Sequence, residues 1–195
     1  MFQSLTAGML LFRARRGSQL HLPPGLYRCR QGHLLATCPM VNRDTLWGGL
    51  VLPGQVFIQR NPAVWVLYPL GPAELSRLET ATPLITQALS QRLAHMEVLL
   101  ALTNLRGLEE RLFGFLLYCA RYGGESQPDG SCRLPFPLTQ SHLALVLKSN
   151  RSQVAQALQA AETQGLLLRQ KQHRFQFPDL ARLQLHCPIQ LRDHP

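Results

Sequence analysis

The sequence predicts an α+β chain, and three patterns predict it. Proline and glycine punctuate short apolar runs up to about residue 70. No proline occurs from residue 84 to residue 127, where leucines recur at helical spacing. Residues 134–180 then read as two short helices across a tight turn, followed by a basic hairpin.

Residues 8–70 read as short strands. Pro23-Pro24-Gly25, Gly32, Gly48-Gly49, Pro53-Gly54, Pro62 and Pro69 mark the turns, and runs such as Leu50-Val51-Leu52 and Val64-Trp65-Val66-Leu67 supply β-rich segments. This spacing predicts a small antiparallel sandwich or barrel. Thr82-Pro83 starts a helix, because threonine caps and proline suits the first helical position. Leu89, Leu93, Met96, Leu100 and Thr103 follow at spacings of four, three, four and three, the period of a seam between paired helices. Leu99 and Leu102 lie off that seam, so the helix is apolar on more than one side. Such a helix can pair with a partner chain or lie buried within its own. Gly107 permits a break. Leu108, Leu112, Phe115, Leu116 and Cys119 define a second amphipathic helix, with Glu109 and Glu110 in the first turn, where the helix dipole favours acids. Gly123-Gly124 ends it. Residues 124–137 read as a loop around the turn Pro128-Asp129-Gly130.

From Leu138 the chain reads LTQSHLALVLKSNRSQVAQALQAAETQGLLLRQKQHRFQF. Thr139 caps a helix of about two turns that stops near Lys148. After Lys148-Ser149-Asn150, Asn150 and Gln153 have capping-box spacing for the next helix. Val154, Leu158 and Ala161 point inward; Arg151, Ser152, Gln153, Gln156 and Gln159 point outward, with no acid before Glu162. An acid-poor face of arginine and glutamine suits a DNA groove, since these side chains pair with guanine and adenine edges and a carboxylate would repel phosphate. Gly165 ends the helix. Leu166 to Arg169, the turn Lys171-Gln172-His173 and the alternating Arg174-Phe175-Gln176-Phe177 form a hairpin, whose Arg169, Lys171 and Arg174 can meet phosphates beside the groove. The whole reads as a winged helix-turn-helix.

Charge agrees with this. Lysine plus arginine number 20 against 11 acids, and Lys148 and Lys171 are the only lysines. Residues 1–60 carry seven arginines and one acid, residues 61–132 a net −2, and residues 133–182 a net +5. A basic C-terminal module points to a polyanionic partner. Five cysteines without a CxxC pair or a signal peptide fit a reducing cytoplasm. No apolar run approaches the roughly 20 residues a membrane helix needs. No nucleophile elbow, phosphate-binding glycine loop, HExxH or paired carboxylates appear, which argues against an enzyme.

These segments resemble the CRP/FNR superfamily of bacterial transcription regulators. The likeness is strongest over residues 82–182, and the phrase RLFGFLLYCARYGG is similar to the cyanobacterial nitrogen-regulator branch. Residues 25–57 (GLYRCRQG…LWGGLVLPGQVF) resemble the family's β-roll, cupin-like sensor domain. The resemblance implies a shortened sensor at 1–80, a dimerisation helix at 81–106, a winged helix-turn-helix at 107–183 and a tail at 184–195. It implies a homodimer paired through Leu89, Leu93, Met96, Leu100 and Thr103, acting on a two-fold-symmetric operator. Its DNA contacts would be Thr139, Gln140, Ser149, Asn150, Arg151, Ser152, Gln153, Gln156, Arg169, Lys171 and Arg174. Double-stranded DNA is the expected partner, with RNA polymerase or another protein effector beside it and no membrane.

The chain departs from the family in several places. Arg151 matches the leading base-contacting arginine, but Ser152 and Gln156 stand where glutamate and a second arginine are common. Lys148 stands where glycine is often found, which carries a strain cost if the backbone angle is positive. Gly54-Gln55-Val56-Phe57-Ile58 runs nearly straight into Asn61-Pro62-Ala63-Val64-Trp65, leaving no room for a cyclic-nucleotide cassette. Cys29 and Cys38 have no companions at iron–sulfur spacing, and His21, His33 and His95 are isolated, so no cofactor is expected. Arg13, Arg15, Arg16, Arg28 and Arg30 have no counterpart in the resemblance. A second reading, resting on Ser152 and Gln156, is a degenerate relative that serves as a protein-interaction module and binds DNA only non-specifically.

Overall fold

The turn-rich N-terminal segment forms eight strands in a computed structural model of the chain, which describes residues 2–6, 9–39, 45–59, 66–78 and 82–189. They are β1 (Phe2–Thr6), β2 (Met9–Ala14), β3 (Gly25–Gln31), β4 (Leu34–Pro39), β5 (Thr45–Val51), β6 (Val56–Gln59), β7 (Val66–Pro69) and β8 (Ala73–Leu78). There follow α1 (Thr82–Thr103), α2 (Leu108–Gly123), β9 (Glu125–Ser126), β10 (Cys132–Arg133), α3 (Gln140–Leu147), α4 (Arg151–Thr163), β11 (Leu168–Gln170), β12 (Arg174–Phe177) and α5 (Leu180–Leu185). The chain divides into two compact units, Met1–Leu99 and Leu100–Pro195, the division falling inside α1.

In the first unit a five-stranded sheet runs β1-β2-β8-β3-β6 and a three-stranded sheet runs β5-β4-β7, every pairing antiparallel. The strands therefore begin before residue 8 and continue past residue 70, since β1 and β8 complete the larger sheet. Phe12, Tyr27, Phe57 and Leu75 from one sheet and Leu34, Ala36, Val51 and Leu67 from the other share one buried cluster. Tyr27 anchors it, with its ring edge-on to Phe12 at 5.6 Å, stacked on Phe57 at 5.7 Å, and its hydroxyl donating to the Pro23 carbonyl. A partnered hydroxyl is what lets so large a polar-tipped ring sit at full burial. Gly32 has φ +85°, and a Cβ there would lie 2.3 Å from the Pro72 carbonyl oxygen, so both backbone angle and space demand glycine. Val64, Trp65 and the Asn61–Ala63 stretch expected to exclude a cassette lie outside the described residues.

In the second unit α2 is buried from Leu112 to Ala120. Its first turn holds Glu109 and Glu110 as expected, and the Glu110 carboxylate accepts from the Gly107 backbone N–H. Gly124 ends it at φ −82°, an angle open to any residue. What requires glycine there is space: a Cβ would sit 2.3 Å from the Ala120 oxygen and 2.4 Å from Cys132 Sγ. The segment 124–137, expected to be a loop, holds β9 and β10, which join the hairpin strands in a sheet ordered β11-β12-β10-β9. Two-residue strands leave no periodicity to detect. α5 runs to Leu185, across the expected boundary at 183, and Asp179 caps it by accepting from the Ala181 and Arg182 backbone N–H groups.

Candidate nucleic-acid interface

Thr139 takes extended backbone and its hydroxyl accepts from the His142 backbone N–H at 3.1 Å, fixing the start of α3. His142 completes the box, its Nδ1 accepting from the Thr139 N–H at 3.4 Å. α3 stops after Leu147 because Lys148 turns left-handed, at φ 49° and ψ 53°. The Lys148 and Ser149 N–H groups both donate to the Ala144 carbonyl, closing the helix in a Schellman-type end. Arg111 of α2 supplies what the turn lacks, its Nε donating to the Leu147 carbonyl at 3.2 Å while Nη1 donates to the carbonyls of Leu105 and Arg106. Sequence periodicity could not reveal this, because Arg111 and Leu147 belong to different helices.

Asn150 caps α4, its side-chain oxygen accepting from the Gln153 N–H at 2.8 Å. The reciprocal half of the expected capping box is absent among the described residues. Gln153 instead accepts the Ser149 hydroxyl at 2.8 Å, because that hydroxyl reaches its amide across the turn. Val154, Ala157, Leu158 and Ala161 are buried, and Arg151, Ser152, Gln153, Gln156 and Gln159 are exposed. No acid stands in the first turn of α4, so its free N–H groups and Arg151 form a site favourable to an anion. Among the described residues the side chains of Arg151, Ser152 and Gln156 make no bond within the protein. Gln140 is half-buried at the start of α3.

The hairpin pairs Leu168 with Gln176, Arg169 with Phe175 and Gln170 with Arg174. Phe175 and Phe177 are buried and Arg174 and Gln176 half-buried, as alternation predicts. Gln172 and His173 both have positive φ, 62° and 61°, which folds the tip back tightly. Lys171 and His173 are exposed there. Arg174 is half-buried, with its Nε buried and unpartnered among the described residues. Arg169, expected beside a phosphate, is engaged internally. Its Nε donates to Glu162 Oε2 at 2.7 Å, its Nη2 to Gln159 Oε1 at 2.6 Å, and its backbone N–H to Glu162 Oε1. The hydrogen bond from Arg169 is the chief cause holding the Glu162 carboxyl below its ordinary range. The only carboxylate of α4 is thereby paired within the protein.

Along α1 the predicted seam is bare: Leu89 is 42%, Leu93 62%, Met96 46% and Leu100 65% exposed, and Thr103 is exposed. His95, Leu99 and Leu102, off that seam, are buried. No described helix is long and apolar enough to cross a membrane.

Residues 110–185 match the family model of the Crp-like helix-turn-helix domain. Most of the chain is similar in fold to solved structures. A CRP-family transcriptional regulator from Thermus thermophilus shares 18% identity over 94% of this chain and 100% of that one, with a TM-score of 0.76. FixK2 from Bradyrhizobium japonicum shares 15% over 98% and 100%, with a TM-score of 0.74. A CooA mutant from Carboxydothermus hydrogenoformans shares 16% over 91% and 87%, with a TM-score of 0.71. None of the curated protein sequences matches the chain. Its C-terminal part, residues 110–185, thus matches the Crp-like helix-turn-helix domain, and the chain has the fold of these solved structures.

Proposed function

We propose that the chain is a sequence-specific transcription regulator, acting as a homodimer on a two-fold-symmetric operator and without cyclic-nucleotide binding. The observation that carries this is the outward face of α4, where Arg151, Ser152 and Gln156 stand exposed and, among the described residues, unbonded opposite a buried apolar face. Such a helix enters the major groove, with Arg151 placed for a guanine edge. Lys148 and Lys171, both exposed, supply phosphate contacts to either side, as do Arg174 and the polar groups of Thr139, Gln140, Ser149, Asn150 and Gln153. RNA polymerase or another protein effector is the further partner of such a regulator.

The homodimer is supported by the exposed row on α1. Leucines left in water at this period are stabilised by about 25 cal/mol for each Å² that pairing would cover. Two copies of α4 would then read half-sites about one DNA turn apart. Against cyclic nucleotides stands the small number of residues between β6 and β7. β6 ends at Gln59 and β7 begins at Val66, which leaves only residues 60–65 between them.

The test is selection of bound sequences from a random duplex pool at physiological salt, followed by titration of variants. Arg151→Ala is expected to lose discrimination between sites. Lys171→Ala is expected to weaken all duplexes about equally and to lower the salt slope by about one. If Arg151→Ala leaves affinity and selectivity as they were, α4 is not the reading helix.

A further inference from the structure

We infer that Gln159 meets the duplex only as a hydrogen-bond donor, and that Arg169 is the positioning residue that makes it so. The inference rests on the DNA-binding reading above. A guanidinium carries N–H donors and no acceptor. The Gln159 atom 2.6 Å from Arg169 Nη2 must therefore accept, and only its side-chain oxygen can. The amide is oriented by chemistry: Oε1 is turned to the wing, and the two hydrogens of Nε2 remain available.

Gln159 lies three residues beyond Gln156 and seven beyond Ser152, which puts all three on one side of α4. It is exposed there. Its orientation is held from behind, because Arg169 is itself fixed by two bonds to Glu162, 2.7 Å from Nε and 3.3 Å from the backbone N–H. An adenine edge asks glutamine for an acceptor and a donor together. Gln159 has Oε1 turned to Arg169 and away from the duplex, so the groups that fit its outward Nε2 are pure acceptors: guanine O6 or N7, thymine O4, or a phosphate oxygen. Arg169, by charge and by its place on the hairpin, would pass for a phosphate ligand. Its Nε and Nη2 donors are turned to Glu162 and Gln159 instead, which holds the guanidinium against α4.

The full chain is tested with a selected duplex and a scrambled duplex of equal length, each titrated at several salt concentrations. Gln159→Met removes the donors and leaves the Arg169–Glu162 pair in place. It is expected to weaken binding about threefold to tenfold, the worth of one hydrogen bond, with an unchanged salt slope. Loss confined to the selected duplex assigns the donor to a base edge, and equal loss on both assigns it to a phosphate oxygen; either outcome supports the inference. Arg169→Met is expected to leave the salt slope unchanged, and Arg169→Lys, whose ammonium also only donates, to keep wild-type selectivity. A slope that falls by about 0.9 in Arg169→Met makes Arg169 a phosphate ligand and overturns the inference. So does wild-type binding of both duplexes by Gln159→Met. A wild-type chain that prefers no duplex at all refutes the underlying DNA reading instead, and that is visible before any variant is made. Circular dichroism of each variant reports whether it folds.

Discussion

Replacing Lys148 with glycine is expected to stabilise the protein, against the usual direction of a glycine substitution. Lys148 sits at φ 49° and ψ 53°, in the left-handed region. A residue with a Cβ costs roughly 1–2 kcal/mol there. Its side chain is exposed and, among the described residues, makes no bond that would offset this. The two N–H bonds to the Ala144 carbonyl that close α3 come from backbone and survive any substitution that keeps the angles. Glycine removes the strain but adds freedom to the unfolded chain, which returns about 0.5–1 kcal/mol. The net gain is about 0.5–1 kcal/mol, or roughly 1–4 °C in Tm if the chain unfolds as one unit. Lys148→Ala is the control, since it removes the same charge and keeps the Cβ. Urea unfolding or calorimetry of the two variants isolates the backbone effect. A glycine variant no more stable than the alanine variant would refute the reasoning, because the strain would then be absorbed elsewhere in the turn.

Four further outcomes follow from the same geometry. Leu93→Glu places a charge at a position 62% exposed in one chain and is expected to convert a dimer to monomers in analytical ultracentrifugation with little effect on the fold; a dimer that persists places the seam elsewhere. Gly124→Ala forces a methyl to within 2.3 Å of the Ala120 oxygen and 2.4 Å of Cys132 Sγ, and about 2–3 kcal/mol of stability should be lost, measured by urea titration against wild type. Glu162 has its carboxyl lowered by Arg169, so its contribution is present at neutral pH and lost as pH falls through the folded value. Between about pH 5 and about pH 3 stability should fall less in Glu162→Gln than in wild type, and parallel curves would mean the pair contributes nothing. The Cys29 thiol is pushed up to about 12 by burial, and Cys119, Cys132 and Cys187 are buried too, so mild alkylation of folded protein should reach half-exposed Cys38 alone; mass spectrometry showing a second early adduct contradicts this.

Local chemistry decided much of this protein before any contact was considered. Thr139 and Asn150 are caps wherever they precede a helix, because their side chains reach backbone N–H groups only a few residues on. Val154, Leu158 and Ala161 declare the inner side of α4 by period alone, and the same period bares Leu89, Leu93, Met96 and Leu100. Tertiary structure decided whatever depends on residues far apart in sequence. Arg111 at the Leu147 carbonyl, β9 and β10 joining the hairpin, and the space that demands Gly124 all arise from chain return, which no local pattern encodes. The same holds for Arg169. Its charge and its place on a hairpin are plain in the sequence, but whether its donors face a phosphate or Glu162 is set by how β11 packs back along α4. A short-range pattern specifies which groups a residue offers, and only the folded chain specifies which of them remain unspent.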